Sequence, residues 1–325
     1  MKVLFYTNSS IEIGYGHLMR CVNLAQEFYN VGFEVIFLTE DRVGSLINKI
    51  PSNFLVLECS EGVDSGYICD LIKKYEPTHF VSDSYDLDLR FDQAIQKIEG
   101  LTYIVIDDLG REHDCDFLID QNIDANLEKY SSSLCKNYIL GLDYVILNSS
   151  FDVSRNQYRD KYSIENVLVF FSGGDTFDCE KMLIEAISQI DLDLKFTLIT
   201  KHMHNISNNK LDIVGFVNDI AHFMLNFDYM IGACGSMTWE RFCLGLPSSL
   251  ISLADNQVGT AKILDAMGLI RYLGDIKNLN VQSWKNELVY LNRSKTEFFD
   301  NSREIFDLVD GNGTKRIVKK ILDYK

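Results

Sequence analysis

Residues 2–30 read KVLFYTNSSIEIGYGHLMRCVNLAQEFYN. A short apolar run, Lys2–Tyr6, gives way to a polar loop, Thr7–Gly16, that carries two glycines; beyond it Leu18, Cys21, Val22, Ala25 and Phe28 recur at spacings of three and four. The run fits a strand, and the spacing marks one buried face of a helix that begins near His17. The same alternation continues through the strands Glu34–Leu38, Phe80–Ser82, Tyr103–Ile106, Phe117–Ile119 and Tyr138–Leu140, with helical stretches at Ser65–Tyr75 and Phe91–Ile98. After a polar stretch, Ser149–Glu165, a second series begins. Its strands are Val167–Phe171, Lys195–Thr200, Ile213–Val214, Tyr229–Ile231 and Ser249–Ser252, with helices near Asp178–Ile190, Asp219–Asn226, Met237–Leu244 and Thr260–Met267. Strand and helix in alternation predict parallel sheets covered on both faces. The expected architecture is α/β: two doubly wound Rossmann-type domains, 1–157 and 158–325, facing each other across a cleft, with ligands at the carboxyl ends of the strands. The charge-rich tail, Asn292–Lys325, reads as a solvated helix pair.

The 325 residues are 46% hydrophobic and 24% charged, enough for two apolar cores. A net charge of −16 disfavours nucleic acid and anionic lipid, so a nucleotide ligand would have to be held locally, by backbone N–H groups and helix ends. Eight cysteines form no CxxC pair, the pattern expected of a reducing compartment. The N-terminal segment turns polar too soon for a signal peptide, and no apolar run reaches about 18 residues. Both features predict a cytoplasmic protein without membrane insertion.

Four loops carry candidate chemistry. In Gly14-Tyr15-Gly16-His17 the glycines let the backbone approach a ligand, and the helix N-terminus disfavours a charged His17, which suits a base near neutral pH. The plainer alternative is a glycine turn with a capping histidine. In 232–240, GACGSMTWE, a strand runs into a glycine turn and a helix start. The N–H groups of Gly235, Ser236 and Met237 could cradle a diphosphate, and Glu240, one turn on, could accept ribose hydroxyls. The plainer alternative makes Glu240 a first-turn carboxylate complementing the helix dipole. Ser172-Gly173-Gly174-Asp175 repeats the first domain's glycine loop at the corresponding place, or is simply a turn that needs glycine. Asn256 and Gln257, in ADNQ (254–257), offer amides to sugar hydroxyls or acetamido groups, unless they only cap a helix. His113 with Cys115, and His202 with His204, lack the ligand count and spacing of a zinc site. Asp107-Asp108, which could hold magnesium, is better read as capping the turn at Gly110. No metal and no cofactor are expected.

Taken together, IGYGHLMRCVNLA (13–25), DSYDLD (83–88), IDD with HDCDFLIDQN (106–122), GLDY (141–144), SGGD (172–175) and the run 232–257 resemble the UDP-2,4-diacetamido-2,4,6-trideoxy-β-L-altropyranose hydrolase family of pseudaminic acid synthesis. That family is related to the peptidoglycan N-acetylglucosaminyltransferase and shares its GT-B fold. The resemblance implies that His17 is the catalytic histidine acting on the attacking water and that Tyr85 is a site residue near the sugar. It further implies Asn256 in the sugar pocket, Glu240 on ribose, Phe216-Val217 at the uracil, no metal, and inversion at the anomeric centre. Tyr6, Asn8, Ser84 and Asn148 differ from the residues many members carry, which bears on the exact sugar. The expected reaction is attack of water on a UDP-sugar, with UDP leaving. The alternatives are a GT-B glycosyltransferase, in which an acceptor hydroxyl replaces the water, and a non-catalytic nucleotide-sugar-binding module, which would have no use for His17.

Overall fold

The computed structural model describes residues 1–10, 14–158, 163–171, 176–204, 209–294, 296 and 299–324. The chain forms two compact units, Met1–Leu147 with Asn312–Lys325, and Asn148–Gly311.

The first unit contains β1 (Lys2–Thr7), α1 (Gly16–Asn30), β2 (Glu34–Glu40), β3 (Leu55–Cys59), α2 (Ser65–Tyr75), β4 (His79–Asp83), α3 (Leu89–Ile95), β5 (Thr102–Ile106), β6 (Phe117–Asp120) and β7 (Asn137–Leu140). Its strands form one parallel sheet in the order β3-β2-β1-β4-β5-β6-β7. Alternate residues of β1 serve opposite cores: Val3 and Phe5 pack with Leu18, Cys21 and Phe28 of α1, whereas Leu4 and Tyr6 pack with Ile68 and Ile72 of α2. A strand buried on both faces reads as a continuous apolar run, which is why β1 was visible in the sequence. The order reverses between β1 and β4, so their carboxyl ends, where Thr7 pairs with Asp83, flank the topological switch point.

The second unit contains α4 (Ser149–Arg155), β8 (Asn166–Phe170), α5 (Phe177–Ser188), β9 (Lys195–Ile199), β10 (Leu211–Val214), α6 (Ile220–Met224), β11 (Tyr229–Ala233), α7 (Met237–Cys243), β12 (Ser248–Ser252), α8 (Asp255–Ala266), β13 (Arg271–Asp275), α9 (Val281–Arg293) and α10 (Phe299–Leu308). The parallel order β10-β9-β8-β11-β12-β13 puts a second switch point between β8 and β11. Among the described residues no helix is long and apolar enough to cross a membrane.

The tail departs from expectation. The helix α11 (Gly313–Leu322) belongs to the first unit, so neither 1–157 nor 158–325 is one continuous unit. Its stripe of Ile317, Val318 and Ile321 is buried in the core that α1 also lines, while Lys315, Lys319 and Lys320 lie on the other side of the sequence pattern. The tail is therefore no solvated pair: α11 is amphipathic and α10 packs on α7 in the second unit. The strands β3 and β13 were not anticipated: RYLGD of β13 is only partly buried and gives no apolar run, whereas β3 was missed although residues 54–57 read FLVL, a short apolar run.

Candidate functional site

In the first unit the site grows from the switch point. Gly14 has φ +82°, a left-handed conformation that glycine tolerates best, and its N–H donates to Ser10 O at 2.9 Å, closing the loop that feeds α1. His17 is the second residue of α1 and is buried; Tyr15 holds the N-cap position without a side-chain bond, so His17 is not the cap. His17 Nδ1 lies 2.6 Å from Asp83 Oδ1, at the end of β4. One turn along α1, Arg20 donates Nε to Asp83 Oδ2 at 2.5 Å and Nη2 to Oδ1 at 2.7 Å, a bidentate pair. Burial alone would raise the Asp83 carboxyl, but Arg20 and His17 hold it at about 2. Burial disfavours the charged Arg20 in turn, and Asp83 and Asp108 more than restore it, so it stays protonated.

This pairing fixes the histidine tautomer. An ionised Asp83 can only accept, so Nδ1 carries the proton and donates it. The Arg20 Nη2, 3.2 Å from Nδ1, is then a neighbour and not a donor to it. The lone pair is left on Nε2, and the carboxylate stabilises the imidazolium that forms when Nε2 takes a proton, as in the His–Asp half of a hydrolytic triad. Arg20 Nη1 also donates to Asp108 Oδ2 at 2.9 Å, and Asp108 Oδ1 accepts from the Tyr85 hydroxyl at 2.5 Å. The Tyr85 ring stands edge-on to His17, with centroids 4.6 Å apart at 89°. His17 and Tyr85 are thus brought together, through Arg20, Asp83 and Asp108. No role was assigned to Arg20 or Asp83 from sequence, and Asp108, expected with Asp107 to cap the Gly110 turn, bonds Arg20 and Tyr85 instead. Arg20 and Asp83 lie inside the quoted motifs. The signal for them was position: an acid ending a strand beside the switch point, and a base one helical turn from His17. Asp107 does cap the Gly110 turn, accepting from the N–H groups of Leu109, Gly110 and Arg111.

The second unit offers backbone where the first offers side chains. Gly232, near the end of β11, could not be another residue, because a Cβ there would stand 2.6 Å from Phe170 O of β8. Beyond it the N–H groups of Gly235, Ser236 and Met237 donate to no protein acceptor among the described residues, and Ser236 at the N-cap makes no side-chain cap bond. Glu240 is partly exposed on α7; burial pushes its carboxyl up to about 7, with Arg241 only partly offsetting this. Arg241 is fully buried beneath the turn, donating to Ala233 O at 3.1 Å and Thr238 Oγ1 at 2.9 Å. Gln257 Oε1 accepts from Leu253 N at 2.9 Å, and its Nε2 lies beside Gly235, so Gln257 braces this turn, while Asn256 is exposed in the first turn of α8. Phe216 and Val217 follow β10 at the same sheet edge, Phe216 being 71% exposed. Gly173 and Gly174, after β8, lie outside the described residues. Of the weak metal pairs, His113 is buried against Asp92 at 2.7 Å, and His204 bonds Glu180 at 2.8 Å.

No protein-family model matches the chain. Its sequence is 26% identical to the UDP-2,4-diacetamido-2,4,6-trideoxy-β-L-altropyranose hydrolase of Campylobacter jejuni, over 82% of this chain and 97% of that one. It is 23% identical to an uncharacterised protein of Methanocaldococcus jannaschii, over 99% of this chain and 70% of that one. A local match, 27% identical over 41% of this chain and 43% of the other, links it to the spore coat polysaccharide biosynthesis protein SpsG of Bacillus subtilis. Among solved structures, Acinetobacter baumannii MurG superposes with TM-score 0.72 at 13% identity, each chain covered to 99%. The spinosyn rhamnosyltransferase SpnG complexed with thymidine diphosphate superposes with TM-score 0.62 at 10% identity, over 98% of this chain and all of that one, its full 100%. The chain therefore has the GT-B fold of these glycosyltransferases and resembles, over most of its length, the UDP-2,4-diacetamido-2,4,6-trideoxy-β-L-altropyranose hydrolases.

Proposed function

We propose that the protein is a metal-independent UDP-sugar hydrolase that releases UDP and a free diacetamido-trideoxy hexose with inversion, in pseudaminic-type nonulosonic acid biosynthesis. The observation that carries this reading is the His17–Asp83 pair at 2.6 Å, with Arg20 clamped on the same carboxylate. It leaves His17 Nε2 as a base that needs no further activation. In the proposed reaction Nε2 takes a proton from water as the water oxygen bonds to the anomeric carbon from the face opposite the leaving group. The bond from that carbon to the diphosphate oxygen breaks, and its electron pair leaves with UDP. Asp83 steadies the imidazolium, and Tyr85 and Asn256 contact the sugar. UDP is taken by the second unit: the N–H groups of Gly235, Ser236 and Met237, unengaged among the described residues, for the diphosphate, Glu240 for the ribose and Phe216-Val217 for the uracil. Support for a nucleoside diphosphate comes from the name of the C. jejuni relative and from the SpnG complex, which holds thymidine diphosphate on the same fold. A diphosphate is a good enough leaving group to need no acid, so one base suffices.

The test is a proton NMR time course of purified protein with UDP-diacetamido-trideoxy sugars. Free sugar and UDP forming without any acceptor support the reading. Turnover only when an acceptor alcohol is added makes the protein a glycosyltransferase, and binding without turnover makes it a nucleotide-sugar-binding module.

A further inference from the structure

Four residues, 84–87, connect Asp83 at the end of β4 to Asp88, the N-cap of α3. Both ends of this loop are fixed, by Asp83 in the sheet and by Asp88, whose carboxylate caps α3 by accepting from Phe91 N at 3.0 Å. Between those ends the loop has no ladder partner for its carbonyls among the described residues, and it carries Tyr85. Arg111 supplies the missing donors. Its Nη1 donates to Tyr85 O at 3.2 Å and Leu87 O at 2.9 Å, its Nη2 donates to Ser84 O at 3.1 Å, and its guanidinium carbon stands 5.4 Å from the centre of the Tyr85 ring. Three of the loop's four carbonyls are thus held by one side chain.

The clamp is itself anchored. Arg111 Nε donates to Asp107 Oδ1 at 2.6 Å. Asp107 is fully buried and accepts three backbone N–H groups from the turn 109–111, so its carboxylate cannot swing. Behind it His113 is buried between Asp107, at 3.6 Å, and Asp92, at 2.7 Å. Burial lowers the His113 pKa, but the two acids overcome that and raise it to about 9, so it stands there as an imidazolium. A second, smaller tether closes the other side of the loop: Arg42 donates to Asp86 at 3.0 Å, and Asp86 N donates to Ser84 Oγ at 3.2 Å.

We propose that Arg111 is a positioning residue for the reaction: its clamp on the carbonyls of 84, 85 and 87 sets where Tyr85 stands against His17 and Asp108. The inference rests on the reading of His17 and Tyr85 as site residues. A planar fork with five donors can serve Asp107 and three carbonyls together; a lysine can keep the ion pair but not the set. Displacing a group by about 1 Å at a reacting centre is enough to lose on the order of 10²-fold in rate.

The test has two readouts. Amide hydrogen exchange over 84–88, which needs no substrate, should accelerate at least about tenfold in Arg111→Ala, while exchange in β4 stays as in wild type. In turnover, kcat should fall by roughly 10²-fold with the inhibition constant for UDP unchanged, Arg111→Lys should recover part of the loss, and Arg111→Ala should add less than about twofold on top of Tyr85→Ala. Wild-type protection of 84–88 in Arg111→Ala, or losses that multiply in the double variant, would overturn the proposal, because Arg111 would then act through something other than Tyr85. If Arg111→Ala does not fold, Arg111→Lys is read in its place, and wild-type exchange together with wild-type kcat overturns the proposal equally. If the wild-type protein turns over no UDP-sugar, the hydrolase reading fails by itself, and the exchange measurement still decides the role of Arg111.

Discussion

The two units use one sheet order at their switch points, and the edges they present there differ in kind. In the first, the end of β4 and the segments that follow β1, β4 and β5 bring together polar side chains that satisfy one another: His17 on Asp83, Arg20 across Asp83 and Asp108, Tyr85 on Asp108. In the second, β11 ends in a glycine turn in which the N–H groups of Gly235, Ser236 and Met237 meet no protein acceptor among the described residues, with one carboxylate, Glu240, a turn away. Side chains can hold and move a proton, because their pKa values respond to their surroundings. Backbone N–H groups cannot change protonation, but they bind an anion without bringing a counter-charge of their own. On the proposed reading, proton transfer falls to the first unit and anion binding to the second, on one fold. On the same reading a chain of net charge −16 takes a diphosphate through main-chain amides and needs no basic surface.

Breaking the first unit's side should have the largest effect. His17→Ala should lower kcat by at least about 10²-fold, the low end of general-base catalysis, and leave UDP affinity by calorimetry unchanged. Asp83→Asn, which lets Nδ1 accept instead of donate, should come within about tenfold of that loss. Activity surviving His17→Ala within a few-fold would make the histidine structural.

The second unit's side should give a smaller effect, on binding. Glu240→Ala should weaken UDP by roughly tenfold, since charge-assisted hydrogen bonds are worth about 1.5–3 kcal/mol each. A 2′-deoxyribose nucleotide should show the same loss with wild type and little more with the variant. Because burial lifts the Glu240 carboxyl to about 7, the ionised acceptor gains as pH rises through 7, so wild type should gain UDP affinity from pH 6 to 8 relative to Glu240→Gln. Equal deoxy losses in both proteins would remove ribose from Glu240.

Stability against pH should also separate the units. The folded pKa of His113, raised to about 9, lies above the ordinary 6.5, so its contribution is complete below 6.5 and is lost as pH rises through 9. Thermal melts should lose stability across that window, on the order of 3 kcal/mol at most, and His113→Gln should flatten the dependence. Hydrogen exchange should place the loss in the first unit and not in the second. The smallest expected effect is none: excess EDTA should leave turnover unchanged, whereas loss in chelator with recovery on added magnesium would bring a metal into the reaction.

Much of the framework was legible because buried parallel strands are apolar runs and their helices repeat at three and four. β1, α1, β4, β5, β11 and α7 fall where the sequence put them. Apart from β3, what escaped lay where those signals fail. β13 is a half-exposed edge strand, and α11 hides a buried stripe among lysines, so its return to the first unit was invisible to a reading along the chain. At the site, loops and their glycines could be read locally. Asp83, Arg20 and Asp108 could not, because their meaning lies in pairings 63 and 88 residues apart that only the strand order creates.

The central claim is tested most directly by one turnover experiment in water enriched in oxygen-18. With a UDP-diacetamido-trideoxy sugar, the label should appear on C1 of the released sugar, in the anomer inverted relative to the substrate, and UDP should carry none; His17→Ala should suppress the labelled sugar. Label found in UDP, or a first-formed sugar with the anomeric configuration retained, would contradict attack of a His17-activated water at the anomeric carbon.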